Sequence, residues 1–408
     1  MNAAGTYNVT LSVSGPAGEA QRKLAIICGD HKLALTPPMG WDAWNVYGEG
    51  VTAARVKTQA DLLEKTGLAA HGYQYVIVDD TWQARRDPDG SIGPNRRFGN
   101  LQSLSDYLHG QGLKFGLYSS PTDQTCSGYT GSAGHEPQDA KLYASWGVDY
   151  LKYDWCDASS TPKTTTDDLL KAAFGRMRTA LDGVDRDIVY AINPYGYGKP
   201  WTWGAAVGAN SWWTSAQILD QWKDVRNNGF SQNELTSFSG PGRWNDPGWL
   251  MFGRVGYATP RFSHLALPEQ MTQFSLWSLM AAPLIISCDL NQLDPNPFCR
   301  ITTALLTNDE VIDVDQDELG QPARRVAGVG DMEVWARPLW DGAKAVGLFN
   351  TKSWTQSIQI QWSDLGLSGT QPVRDLWQHK DLGPFNGSFT ALVPPHGVVL
   401  VKVGAGKG

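Results

Sequence analysis

Residues 146–156 read WGVDYLKYDWC. A helix-like stretch over 137–146 runs into Gly147, and a short apolar run, 149–154 (DYLKYD), follows at once. A helix that stops at a glycine and feeds a buried strand within a few residues is the second half of a parallel α/β unit. Lys152 and Asp154 close that strand two residues apart, and so on one face of it. The carboxyl ends of such strands are where parallel α/β folds collect their reactive groups.

The same alternation extends in both directions. Strand-like runs stand at 39–44 (MGWDAW), 75–80 (YVIVDD), 114–118 (KFGLY), 187–192 (DIVYAI), 211–214 (SWWT), 242–246 (GRWND) and 284–288 (LIISC). Helix-like stretches at 53–66, 101–111, 166–182, 216–225, 268–281 and 299–306 separate most of them, although the segment between the fifth and sixth strands is poorly marked. Eight strands predict an α/β fold, a closed (β/α)8 TIM barrel over 35–316; the alternative for this pattern is an open doubly wound sheet. Upstream, 7–13 (YNVTLSV) and 22–28 (RKLAIIC) flank the turn-like GPAGEA and predict a β-hairpin extension over 1–34, read as the remnant of an Ig-like module. Two strands alone are marginal, so the hairpin must pack on something or move. Past about Asp317 the helices stop, and EVWARPL, AKAVGLFN, SIQIQW, PVRDLW, SFTALV and GVVLVKV predict a C-terminal antiparallel β-sandwich over 317–408.

Composition narrows the function. The 408 residues are 41% hydrophobic and 18% charged, the balance of a globular chain. A net charge of −7 without a Lys/Arg block speaks against nucleic acid. No apolar run approaches a membrane span, since Pro283 interrupts the longest, around Leu279 to Cys288. No N-terminal leader is recognisable either. The five cysteines form no metal-spaced pair, so neither metal nor cofactor is expected; spacing alone does not pair them, and one thiol must stay free. Eighteen Trp exceed 14 Tyr and 12 Phe. Many will be core, but the excess suits stacking on sugar rings.

Reading the strand ends gives Trp44, Asp79, Asp80, Tyr118, Lys152, Asp154, Asn193, Trp213 and Asp246. Any one Asp could be a helix cap or loop residue. Carboxylates, one lysine and aromatics gathered from these strand ends are what glycoside hydrolysis requires: one carboxylate at the anomeric carbon, a group that moves the proton, and the rest on hydroxyls.

With those residues in place, TPPMGWDAW (36–44), VDDTW (78–82), GLKFGLYS (112–119), TCSG (125–128), WGVDYLKYDWC (146–156), WNDPG (244–248), SLMAAPLIISCDL (278–290) and TNDEVIDVDQDELG (307–320) closely resemble glycoside hydrolase family 27. That family holds α-galactosidases, α-N-acetylgalactosaminidases, β-L-arabinopyranosidases and isomalto-dextranase. The resemblance implies Asp154 as the nucleophile and Lys152 as its electrostatic support. It puts Asp79 and Asp80 on the sugar's 4- and 6-hydroxyls, and Trp44 and Tyr118 as pocket walls. It further implies a Cys126–Cys156 disulfide beside the site and an exported enzyme, secreted or periplasmic, acting on a carbohydrate substrate without a cofactor.

The departures are as specific. The family's loop after strand six reads roughly Trp-Arg-x-x-x-Asp-Ile, with Asp as acid/base and Arg on the 2-hydroxyl; residues 212–218 read WWTSAQI. Trp213 therefore stands at the arginine position and Gln217 at the acid/base position. Asn193 replaces a glutamate, and Gly248 the second Asp of Asn-Asp-Pro-Asp. These changes cluster on the 2-position and the leaving group. The acid/base is then either displaced, with Asp220, Asp157, Asp42 and His135 as candidates, or dispensed with. The expected function is a retaining α-galactosidase-type hydrolase with an altered 2-position or leaving group. The rivals are a non-catalytic carbohydrate-binding protein on the same barrel and, on the glycines of FSGPGRW (238–244), a phosphate-dependent barrel enzyme.

Overall fold

The N-terminal runs pair as an antiparallel hairpin, β1 (Gly5–Gly15) with β2 (Gly18–Cys28). Tyr7 is half-buried, while Leu11 and Val13 stay exposed. The computed structural model describes residues 5–16, 18–29, 32–156, 165–257, 259–291 and 297–404.

Eight parallel strands follow, each short and almost wholly buried: β3 (Met39–Asp42), β4 (Tyr75–Val78), β5 (Lys114–Ser119), β6 (Tyr150–Asp154), β7 (Val189–Asn193), β8 (Ser211–Trp213), β9 (Trp244–Asp246) and, after a small hairpin of β10 (Arg254–Val255) and β11 (Arg261–Phe262), β12 (Leu284–Ile286). They pair in the order β12-β3-β4-β5-β6-β7-β8-β9. A parallel bridge from Leu250, just past β9, to Ile286 closes the ring, with Leu250 N donating to Ile285 O at 2.8 Å. The sheet is a barrel, and the open-sheet alternative is set aside.

The helices start where their caps are. Thr52, Asn100 and Thr166 accept from backbone N–H groups in the first turns of α2 (Ala53–Lys65), α3 (Leu101–Gly110) and α5 (Asp167–Asp182). A short α1 (Trp44–Tyr47) leaves β3, and α4 (Glu136–Ser145) precedes β6. Gly147 takes φ +75 just past α4, the left-handed turn that lets the chain drop into β6.

One helical expectation fails for a tertiary reason, and the poorly marked segment between the fifth and sixth strands forms no α-helix. The helix expected at 216–225 forms six residues of loop first and begins only at Trp222, as α6 (Trp222–Phe230). Asp220 accepts from Arg261 Nη1 (2.6 Å) and His264 N (2.9 Å), and Ile218 is fully buried, so distant residues hold 216–221 out of helix. Between β7 and β8 there is only a 3₁₀ turn, Pro200–Thr202. A Cβ on Gly204 would lie 2.5 Å from the Trp212 ring, so this segment hugs β8 too closely for a helix. The sequence reading also missed α9 (Asp309–Asp315), capped by Asn308; α7 (Leu267–Met280) and α8 (Pro297–Leu306) form near the expected 268–281 and 299–306.

The C-terminal unit has a six-stranded antiparallel sheet, β13 (Arg324–Val329), β14 (Met332–Pro338), β15 (Lys344–Asn350), β20 (Val398–Val403), β17 (Thr370–Asp375) and β18 (Lys380–Asn386), facing the pair β16 (Gln356–Gln361) and β19 (Ser388–Val393). Its core includes Val346, Ile360, Trp362, Phe389 and Val401. β13 and β18 were not anticipated: both are largely exposed, and β18 carries Gly and Pro. The sheet lies on α7, where buried Arg337 donates to Ser278 O (3.0 Å) and Val314 O (2.5 Å). Among the described residues no helix is long and apolar enough to cross a membrane.

Candidate active site

A pocket opens at the carboxyl ends of the barrel strands, lined by Trp44, Asp79, Asp80, Tyr118, Lys152, Asp154, Asn193, Tyr195, Trp213, Gln217 and Trp249. Every strand-end residue read from the sequence is on this wall except Asp246, and Gln217 joins them, whereas Cys126 and Cys156 do not line it. Asp246 lies one layer down, lining a smaller cavity with Asp42, Tyr150 and the buried side of Trp213. Cys126 and Cys156 are joined by a disulfide, which ties the loop after β5 to the end of β6. Tyr118 Oη lies 3.2 Å from Cys156 Sγ and Tyr195 Oη 3.5 Å from Cys126 Sγ, so the bridge backs two pocket phenols.

Lys152 is the charge centre. It is 5% exposed and donates to Asp79 Oδ2 (2.9 Å) and Asp154 Oδ2 (3.0 Å). Its ammonium also faces the rings of Tyr118 (4.7 Å), Trp249 (4.8 Å) and Trp213 (5.9 Å). Burial opposes its charge, yet Asp154, Asp79 and Asp42 outweigh burial and raise its pKa well above the ordinary value. Asp154 feels the converse. Burial pushes its pKa up to about 6, Lys152 pulls it down, and Asp79 pushes it up again. Lysine support is therefore present but divided, and does not by itself decide the titration. Tyr195 Oη donates to Asp154 Oδ2 (3.3 Å), whereas Asp154 Oδ1 is buried with no protein partner. Asp80 is tied down by Thr81 N (2.6 Å) and Ser127 N (2.8 Å), and burial raises its pKa. Asn193 Oδ1 accepts from Tyr195 N (2.9 Å), leaving its buried Nδ2 without a partner.

The opposite side is aromatic. Trp213 meets Trp249 edge-on at 4.7 Å and Tyr195 at 6.2 Å. Asp246 accepts from Gly248 N (2.8 Å) and from Trp213, and burial lifts its pKa to about 7. A Cβ on Gly248 would stand 2.7 Å from Ile218 Cγ2 and 3.7 Å from Trp213 Cη2, at φ +106. Trp213 and the absence of a side chain at 248 are thus one steric arrangement.

Gln217 lines the pocket and donates from Nε2 to Tyr257 Oη at 3.1 Å. Of the displaced acids considered, Asp220 is bound by Arg261 and His264 N, away from the pocket wall. Asp42 is fully buried beneath the floor, where burial and then Asp79 hold its pKa well above the usual carboxylate range. His135 precedes α4 against Gln138. Asp157 lies outside the described residues.

Tyr195, Trp249 and Tyr257 escaped the sequence reading. Tyr195 and Trp249 each sit within three residues of a strand end that was read, Asn193 and Asp246. Tyr257 comes from the β10–β11 hairpin, which no periodicity marks. Among the described residues no group of three or more His, Cys, Asp or Glu side chains is placed to hold a metal ion.

Comparison with known proteins agrees with this geometry. A family model described as alpha galactosidase A matches residues 36–317, and one described as the alpha galactosidase C-terminal beta sandwich domain matches 329–403. The chain is 39% identical to an α-galactosidase of Coffea arabica, over 94% of this chain and 97% of that one. It is likewise 39% identical to an α-galactosidase of Cyamopsis tetragonoloba, over 90% and 86%. Among solved structures it superposes on α-galactosidase I of Mortierella vinacea with TM-score 0.83 and 29% identity, covering 93% of this chain and all of that one. It also superposes on a family 27 β-L-arabinopyranosidase of Geobacillus stearothermophilus with TM-score 0.82 and 26% identity, covering 92% and 98%. The chain belongs to the α-galactosidase family, glycoside hydrolase family 27, and is a glycosidase of the α-galactosidase type.

Proposed function

We propose that the enzyme is a retaining exo-acting hydrolase of terminal α-galactosides, or of a close relative differing at the 2-position or in its leaving group. Asp154 is the nucleophile. One observation carries this: Asp154 presents an unpartnered buried oxygen while its other oxygen is held by Lys152 and Tyr195. Attack of that free oxygen on the anomeric carbon forms a glycosyl-enzyme, which water then hydrolyses with net retention. Asp79, Asp80 and Asn193 offer acceptors and a donor to the ring hydroxyls, between the Trp44 and Tyr118 walls.

Trp213 replaces a polar contact to the 2-substituent with an indole edge. The pocket therefore tolerates, rather than grips, the 2-position. Cys126, bridged to Cys156, and the buried Asp246 support the wall and floor rather than touch the sugar. Gln217 faces the leaving group as an amide, which cannot supply a proton near neutrality. We place the enzyme outside the cytoplasm, on the support of the disulfide beside the site.

The test is Asp154→Asn, followed on aryl α-galactosides with product stereochemistry by NMR. We expect nearly complete loss of turnover, by at least about 10³-fold, with the fold intact by circular dichroism. A variant that keeps more than about a tenth of parental activity, or a parent that inverts configuration, removes Asp154 from this role.

A further inference from the structure

We propose that the Tyr257 hydroxyl delivers the proton to the leaving group, with Gln217 holding that hydroxyl in place; the inference rests on the assignment of Asp154 as nucleophile. Tyr257 lies in the turn between β10 and β11, against Trp44 and Gln217 of the pocket wall. Its placement is enforced: Gly256 N (2.7 Å) and Tyr257 N (3.2 Å) both donate to Asn45 O, and Tyr257 adopts φ 48, a left-handed conformation costly for a bulky side chain. The ring packs edge-on to Trp44, a pocket wall, at 6.1 Å and 81°. It also lies against Gly48, where a Cβ would be 3.4 Å from the ring.

The hydrogen-bond direction matters most. The Gln217 amide donates to the phenol oxygen, so the phenol hydrogen is not used in that bond. Among the described residues it has no protein acceptor. It is a proton free to transfer, held beside the pocket by the residue that stands where the family resemblance places the acid. The amide also stabilises the phenolate that proton loss creates. Burial raises the phenol's pKa above its usual value; the Gln217 amide opposes that rise, Asp220 and Asp79 add to it, and Lys152 opposes it.

In the first step Asp154 Oδ1 bonds to the anomeric carbon, the carbon–oxygen bond to the aglycone breaks, and that oxygen takes the Tyr257 proton. The enzyme is left with a glycosyl ester and a phenolate. In the second step water attacks the anomeric carbon and gives its proton to the phenolate, and Asp154 departs as carboxylate. Atoms and charge balance without another reagent.

The experiment compares methyl α-galactoside, whose leaving group needs a proton, with 4-nitrophenyl α-galactoside, whose leaving group does not. Tyr257→Phe should lower kcat/KM, which reports glycosyl transfer to Asp154, by about 10²-fold or more on the methyl glycoside and by less than about 5-fold on the aryl glycoside. Retained aryl activity also reports that the variant is folded. Replacing Tyr257 with the more acidic 3,5-difluorotyrosine should move the alkaline limb of kcat on the methyl glycoside to lower pH, and this arm decides the matter if the Phe variant does not fold. Parental turnover of the methyl glycoside by Tyr257→Phe, an unmoved alkaline limb, or a parent enzyme inert on that substrate each overturns the proposal. Asp154→Asn run in parallel separates the two assignments. If it is inactive on both substrates while Tyr257→Phe is unaffected, only the role of Tyr257 falls; if it remains active, the nucleophile assignment falls first.

Discussion

Asp154 shows how little a residue's identity says about its acidity. Its neighbour Lys152 was legible in the sequence as a partner two positions away; the burial that dominates was not. The pKa of about 6 has a kinetic consequence whose sign is fixed by the mechanism. The nucleophile must be ionised, so activity grows as pH rises through that value. We expect kcat/KM on an aryl galactoside to fall about tenfold per pH unit below about pH 6 and to level above it. A profile still flat near about pH 4 would mean that burial does not govern this carboxyl. Gln217 bears on the other limb. Gln217→Glu exchanges the amide that holds the Tyr257 hydroxyl for a carboxylic acid of the same shape, so the alkaline limb of methyl α-galactoside turnover should move down toward the carboxyl range. Above that range the variant should be slower than the parent, because the new group is ionised and no longer donates to the phenol. An alkaline limb that stays at the parental position would show that position 217 does not face the leaving group.

At the scale of elements, strands and capped helices were legible because their signals are local. A run such as YVIV at 75–78 is apolar enough to be buried on both faces, and Thr52, Asn100 and Thr166 cap within one turn. The stretch 216–221 was misread as helix because its fate is decided by Arg261 and His264, some 40 residues away. That misreading is functional: as loop it brings Gln217 to the pocket and buries Ile218 against Gly248. The disulfide belongs to this scale too. It closes a loop of 30 residues and should contribute about 3 kcal/mol. Reduction, or Cys126→Ser with Cys156→Ser, should lower Tm and also kcat/KM, because Tyr118 and Tyr195 lose the sulfur wall behind them. Peptide mapping that finds both thiols alkylated in oxidised protein would overturn the bridge.

Across the whole molecule, one face of the C-terminal sheet joins the barrel's apolar core, where Phe230 of α6 packs on Trp335 (6.3 Å) and Phe349 (5.4 Å), while its other face has a core of its own. We place the unit boundaries at 1–34, 35–316 and 317–408, so this contact crosses between the larger two. Gly347 marks a close approach, since a Cβ there would lie 2.7 Å from Leu279 of α7. Phe349→Ala should cost about 3–5 kcal/mol and lower the unfolding temperature of barrel and sandwich together, as one calorimetric transition. A barrel that still melts at the parental temperature would show the two units to be energetically independent.

The sequence by itself determined the barrel, the sandwich and most of the pocket wall, because strand ends in a parallel barrel converge whatever joins them. Asp79, Asp80, Tyr118, Lys152, Asp154 and Asn193 could be read as a set for that reason. Only the tertiary structure decided what those groups do to one another. It put Asp246 beneath the floor, excluded a side chain at Gly248 by placing Trp213 and Ile218 against it, and brought Tyr257 to Gln217 from 40 residues downstream. The physical reason is range: hydrophobic periodicity and capping act over one or two turns of chain. Desolvation, steric exclusion and hydrogen bonds between loops depend on which distant atoms arrive, and no local pattern encodes that.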